Sequence, residues 1–223
     1  MAKTESELQL QREFYESYLP RVDNKLTLEE IQSNFTDGVV RGNILEFKTT
    51  INDRNAVLFQ TIKYLSAMRV KGISIPANIL LVSCSNKYIY VYNSADYLKD
   101  IEKVYIGAAS KENCGFTCNP ADEEINFSTQ VGQERIVELL RTQSYTKIHI
   151  DENCIVGWAR RFYSINPNAR KQDFIGDNTG KNKTLGEIRK PSVFRDLIYP
   201  YKQDSNERFK YLMDTRVRDK KVV

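Results

Sequence analysis

The sequence predicts an α/β fold, a mixed central β-sheet flanked by helices with a helical C-terminal extension. Three observations lead there. Residues 35–40 and 44–51 are rich in β-formers, and Arg41-Gly42-Asn43 supplies turn chemistry between them, which is the pattern of an antiparallel hairpin. A helical stretch then leads into residues 77–83, a short continuous apolar run of the kind buried inside a sheet. Strand, helix, strand with short connections reads as a βαβ crossover.

Taken in order, Thr4-Glu5-Ser6-Glu7 fits a capping box that opens a helix running to about residue 19, where Pro20 is expected to stop it. Its apolar stripe contains Leu8, Leu10, Phe14, Tyr15, Tyr18 and Leu19, with Glu7 and Gln11 within or beside it. After the hairpin, Asn52 caps a helix over 53–70 that ends at Gly72. In 86–93, Tyr88, Tyr90 and Tyr92 alternate with Ile89 and Val91, as in a strand. Residues 103–122 are irregular, 129–141 helical, 146–150 strand-like and 154–165 helical. A Gly/Asn/Lys-rich stretch at 176–184 reads as a linker, and 205–221 as a charged helix. The expected organisation is a main domain over 1–175 and a basic linker and helical segment over 176–223.

Composition narrows the chemistry. Of 223 residues, 41% are hydrophobic and 28% charged, an ordinary globular balance. No apolar run approaches the roughly 20 residues of a membrane span, so no membrane partner is expected. The polar, acidic N-terminus does not read as a secretion signal, and the scattered cysteines Cys84, Cys114, Cys118 and Cys154 read as free thiols of a cytoplasmic protein. His149 is the only histidine, so zinc sites and Ser-His-Asp or Cys-His catalysis are disfavoured; carboxylates, amines and a metal must do any chemistry. Charge is uneven. Residues 159–223 hold 16 Lys+Arg against 8 Asp+Glu, and taking these from the chain's 33 and 29 leaves 17 against 21 before them. A basic C-terminal third suits a polyanion or a solvated helix equally.

The candidate site is Asp37 with Glu46-Phe47-Lys48. Strand side chains alternate, so Glu46 and Lys48 share a face. With Arg41-Gly42 as a two-residue turn Asp37 falls opposite Glu46, and with Gly42-Asn43 it falls opposite Lys48. A three-residue loop would send it to the other face. Two carboxylates on neighbouring strands repel unless a cation joins them, and rigid oxygen ligands suit Mg²⁺. Lys48 would then orient a water and stabilise charge on a phosphate. The competing reading is a solvated charged face, but the apolar neighbours Ile44, Leu45 and Phe47 imply a buried strand, where charges need partners.

These residues carry a family likeness. Asp37-x8-Glu46-x-Lys48 resembles the PD-(D/E)xK nuclease signature, and Gln60-x3-Tyr64 resembles the Q-x3-Y element of its RecB-like branch. The likeness covers roughly residues 5–95, and Thr36 stands where the name motif has Pro. It implies a restriction-endonuclease-like core and a Mg²⁺-dependent DNA endonuclease, with Mn²⁺ able to substitute. Asp37, Glu46 and the backbone carbonyl of Phe47 would hold the metal; Lys48 and Gln60 would join Asp37 and Glu46 as catalytic residues. Glu7 and Tyr64 are further candidates, although Glu7 also serves as partner to Thr4 and Tyr64 as a core aromatic. Gly186-Glu187-Ile188-Arg189-Lys190-Pro191, with Phe194 and Ile198-Tyr199-Pro200-Tyr201, resembles the segment joining nuclease and methyltransferase domains in single-chain restriction–modification enzymes. That implies methyltransferase and target-recognition domains in the same longer chain, S-adenosylmethionine bound only there, double-stranded DNA as substrate, and a homodimer for double-strand cleavage. The alternative is a non-catalytic nucleic-acid-binding module on the same fold, its 13 tyrosines stacking on bases. A third reading is a phosphoesterase acting on RNA or damaged ends.

Overall fold

The hairpin forms where the sequence places it, and the sheet grows outward from it. A computed structural model describes residues 5–31, 36–105 and 115–149, with 151, 153, 154, 157, 158, 160, 161 and 164. Helix α1 (Glu5–Val22) and the single turn α2 (Leu28–Ile31) precede strands β1 (Gly38–Val40) and β2 (Asn43–Lys48). Helix α3 (Arg54–Val70), the two-residue β3 (Ile75–Pro76), β4 (Asn78–Ser83) and β5 (Tyr88–Asn93) follow. A 3₁₀ turn (Ser94–Tyr97), α4 (Leu98–Ile101), β6 (Glu123–Asn126), α5 (Gln130–Arg141) and β7 (Tyr145–Thr146) complete the described elements.

Five strands form a mixed sheet in the order β1-β2-β4-β5-β6, with β2 and β4 parallel and the other pairs antiparallel; β3 and β7 make a separate ribbon. The fold is therefore α/β with a mixed central sheet flanked by helices. The register assigns two faces. Leu45, Phe47, Leu80, Val82, Ile89, Val91 and Ile125 lie in one apolar core with Phe14, Tyr15, Tyr18 and Leu19 of α1 and Ile136, Val137 and Leu140 of α5. Phe47 anchors that core, its ring 5.2 Å from those of both Phe14 and Tyr15. The opposite face carries Ile44, Glu46 and Lys48 of β2, paired in rows with Ile79, Leu81 and Ser83 of β4 and then Tyr92, Tyr90 and Tyr88 of β5. Helix α3 reaches this face through Arg54, which ion-pairs with Glu124 and sits 4.8 Å over the Tyr90 ring.

Several expectations need correction. Helix α1 continues through Pro20 to Val22. Proline lacks one N–H, but this close to the helix end only one bond is lost, and Asp23 N still donates to the Leu19 carbonyl at 3.0 Å. Leu8, placed in the apolar stripe, is 51% exposed. Thr4 lies outside the described residues. Asp53 rather than Asn52 caps α3, its Oδ1 accepting from Ala56 N at 3.1 Å. Strand β6 was not foreseen; Glu-Glu-Ile-Asn has weak β-propensity and forms because the edge of β5 offers partners. The strand expected over 146–150 is the two-residue β7.

The described residues fall into two compact units, one within 1–66 and 75–146, the other made of 67–74 with the described residues from Lys147 on. In the second, the guanidinium of Arg69, completely buried, pairs with Asp151 at 2.8 Å and donates to the His149 carbonyl. Position 175 and the segment 176–223, with its linker, charged helix and the residues likened to a methyltransferase junction, lie outside the described residues.

Candidate active site

The two-residue turn decides the site's geometry. Val40 pairs with Asn43, Val39 with Ile44 and Gly38 with Leu45, so the loop is Arg41-Gly42. Arg41 takes the left-handed φ of 54°, and Gly42 leaves no room for a side chain because the Ser144 backbone lies against it. One step past the last pair, this register sets Asp37 opposite Glu46, the first of the two registers foreseen. Strand β1 ends at Gly38, so the next inward N–H of β2 has no strand partner. The Asp37 carboxylate takes that role, its Oδ2 accepting from Phe47 N at 2.8 Å.

Glu46 is 1% exposed on its sheet face, and Lys48 Nζ lies 2.7 Å from its Oε1. Glu7 of α1 comes within 3.9 Å of the same ammonium. Burial opposes the charge on Lys48, but the Glu46 carboxylate, helped by Glu7 and Asp37, outweighs it and leaves the Lys48 pKa raised. Lys48 is thus a cation at neutral pH, held among three carboxylates.

Gln60 and Tyr64, one turn apart on α3, meet each other: Gln60 Nε2 donates to the Tyr64 hydroxyl at 2.7 Å. Burial first, then the charges of Glu46 and Asp37, raise the Tyr64 pKa despite Gln60 and Lys48, which pull the other way. Tyr64 therefore feels the cluster electrostatically and stays protonated. Gln60 is thus bonded to Tyr64, on the helix that carries both.

Two supports were not identified from sequence. The Asp37 carbonyl accepts from Gln11 Nε2 at 2.5 Å and from the Tyr15 hydroxyl at 3.0 Å. Both donors sit one helical turn apart on α1, so they hold the residue before β1 from one side. Gly38 makes this possible, since a Cβ there would collide with the Tyr15 hydroxyl and Ile31. The signal was present: a glutamine beside an apolar stripe, four residues from a tyrosine, with glycine after the candidate carboxylate.

Among the described residues, no group of three or more His, Cys, Asp or Glu side chains is arranged to hold a metal ion. Asp37 and Glu46 are two carboxylates, the number that Mg²⁺ commonly takes while keeping most of its waters, so the donor chemistry fits that ion. Cys84, Cys118 and Cys154 are free thiols, and no described helix is long and apolar enough to cross a membrane. No protein-family model matches the chain, and neither curated proteins nor solved structures yield a match.

Proposed function

We propose that the chain is a Mg²⁺-dependent endodeoxyribonuclease with a restriction-endonuclease-like core, acting as one domain of a fused restriction–modification protein. One observation carries the reading: a two-residue turn brings Asp37 to the end of β1 beside buried Glu46, and Lys48 stands on the same face with its ammonium on Glu46. A charged trio at the end of a buried strand costs desolvation that a structural role alone does not require.

Asp37, Glu46 and the Phe47 carbonyl would hold the metal, which would supply charge neutralisation at the phosphate and a lowered pKa for a bound water. Lys48 donates hydrogen bonds to the attacking oxygen and to the non-bridging oxygens as negative charge grows on them. Water gives up a proton to solvent as it adds to phosphorus, the bond from phosphorus to the leaving sugar oxygen breaks, and that oxygen takes a proton from solvent to depart as a hydroxyl. Tyr64, kept protonated by its surroundings and bonded to Gln60, lies within electrostatic reach of the cluster as a neutral group. Glu7 limits where the Lys48 ammonium can move.

The second reading, a nucleic-acid-binding module without catalysis, is favoured by the 2.7 Å Lys48–Glu46 contact, because a carboxylate already neutralised by lysine needs no metal. Calorimetric titration separates the two: Mg²⁺ or Mn²⁺ binding that disappears in Asp37→Ala supports the nuclease, and no binding supports the module. Plasmid cleavage with Mg²⁺ by Asp37→Ala, Glu46→Ala and Lys48→Ala then tests the chemistry. Cleavage retained in all three would refute the site.

A further inference from the structure

We propose that Tyr88 and Tyr90 form a stacking platform for the bases of a single-stranded segment of nucleic acid, an inference that rests on the nuclease reading of the neighbouring carboxylates. The register places the platform. Lys48 pairs with Ser83, and Ser83 with Tyr88; Glu46 pairs with Leu81, and Leu81 with Tyr90. The two tyrosines therefore point from the same sheet face as the Glu46–Lys48 pair, two strands away, or about 10 Å at 4.7–4.9 Å per strand. About three stacked nucleotides span that distance at 3.4 Å each.

The face changes character along its length. At the Ile44 end the row is closed: Ile44 and Ile79 are fully buried and Tyr92 is 2% exposed. Tyr88 and Tyr90 are only half-buried, so aromatic surface emerges at the end of the sheet where Lys48 also emerges. Their rings lie 6.5 Å apart and within 18° of parallel. The Arg54 guanidinium, ion-paired with Glu124 at 2.6 Å, covers one face of the Tyr90 ring, so the stack continues outward from Tyr88. Between Lys48 and Tyr88 the small Ser83 is buried beneath the turn that carries Thr50 and Asn52, both exposed and polar. A strand crossing from the lysine to the rings meets hydrogen-bonding groups and then flat aromatic surface.

Stacking on protein rings requires a base with a face to offer. Bases in an intact duplex are stacked on one another, whereas a single strand presents its faces and tolerates any sequence on an aromatic platform. The occupant is accordingly a single-stranded stretch, as at a flap, gap or frayed end.

The test measures fluorescence anisotropy of the chain in EDTA, so that no metal chemistry enters. Three labelled probes of equal length are compared: oligo-dT, an abasic strand with the same phosphates, and a duplex. The expected result is oligo-dT binding about tenfold tighter than the abasic strand. The double variant Tyr88→Ala/Tyr90→Ala should lose that margin while binding the abasic strand as before, and Tyr88→Phe/Tyr90→Phe should keep it. Equal binding of oligo-dT and abasic strand by the wild type, duplex bound best, no binding at all, or loss of the margin in the phenylalanine variant would each overturn the platform. Absence of Mg²⁺-dependent plasmid cleavage, with the base-dependent margin intact, would instead overturn the nuclease reading alone.

Discussion

The two faces of the central sheet are built from the same strands and do different work. On the α1/α5 side, β2 contributes Leu45 and Phe47, and every neighbouring row is apolar and buried. On the other side, β2 contributes Ile44, then Glu46, then Lys48, and the rows pass from closed apolar packing to charge and half-exposed aromatics. Alternation along one six-residue strand thus separates a continuous apolar face from one that carries the charges. The first face is continuous because two helices cover it. The second is interrupted because Asp37, Glu46 and Lys48 occupy ground that hydrocarbon would fill more cheaply.

Substitution on the charged face should break function and spare the fold. Asp37→Ala or Lys48→Ala is expected to lower Mg²⁺-dependent plasmid cleavage by about 10³-fold, the scale of losing a preorganised electrostatic group. The circular dichroism spectrum should stay native. An unfolded Asp37→Ala variant would instead mean that the carboxylate serves chiefly to finish the β-ladder through Phe47 N. Across the sheet the expectation reverses. Leu80 is 1% exposed in the apolar core, and Leu80→Ala should cost about 2–5 kcal/mol in urea unfolding while the remaining folded fraction cleaves normally. A loss of cleavage greater than the loss of folded protein would show that the two faces are coupled.

Much of this contrast was legible in the sequence, for identifiable reasons. Periodicity of two placed Glu46 and Lys48 together, and the short Arg-Gly turn limited Asp37 to their face. The alternation of Tyr88, Tyr90 and Tyr92 with Ile89 and Val91 gave β5 its correct facing, and Gly72 ends α3 with a φ of 74°. What escaped depends on distant partners. Glu-Glu-Ile-Asn becomes β6 only because β5 presents an edge to it. The Gln11 and Tyr15 bonds to Asp37 bridge 26 and 22 positions, so the helix pattern offers the two donors without showing what they reach. Arg69 is buried against Asp151, 82 positions on, a pairing that only folding reveals.

The Lys48–Glu46 pair has a pH signature that sharpens the comparison. The folded-state pKa of Lys48 is raised above the ordinary 10.5, so the folded form holds the proton more tightly than the unfolded chain does. Its stabilising contribution is complete below about 10.5 and is lost as pH rises through the raised value. Lys48→Met should be less stable than wild type by about 2 kcal/mol at pH 8, the scale of a charge-assisted hydrogen bond. That gap should narrow above pH 10.5. A gap independent of pH would assign the lysine's contribution to its alkyl stem packing on the sheet. The apolar face offers the control, because the deficit of Leu80→Ala should not follow the lysine titration.

The smallest expected effect lies on the covering helix of the apolar face. Thr129 caps α5: its Oγ1 accepts from Gly132 N at 3.1 Å and donates to the Asn126 carbonyl at 2.8 Å. Thr129 therefore ties the start of α5 to the end of β6, and Gly132 is required there because a Cβ would strike the Asn126 carbonyl. Removing a cap of this kind costs about 1 kcal/mol. Helix α5 lays Ile136, Val137 and Leu140 on the apolar face, so Thr129→Ala should loosen that cover slightly and leave the carboxylates undisturbed. Thermal unfolding should shift down by a few degrees, while Mg²⁺ affinity and the preference for oligo-dT over an abasic strand remain at wild-type values. A cap variant that altered either binding property would mean that α5 sets the geometry of the opposite face through the sheet, and the division of labour between the faces would then have to be redrawn at β6.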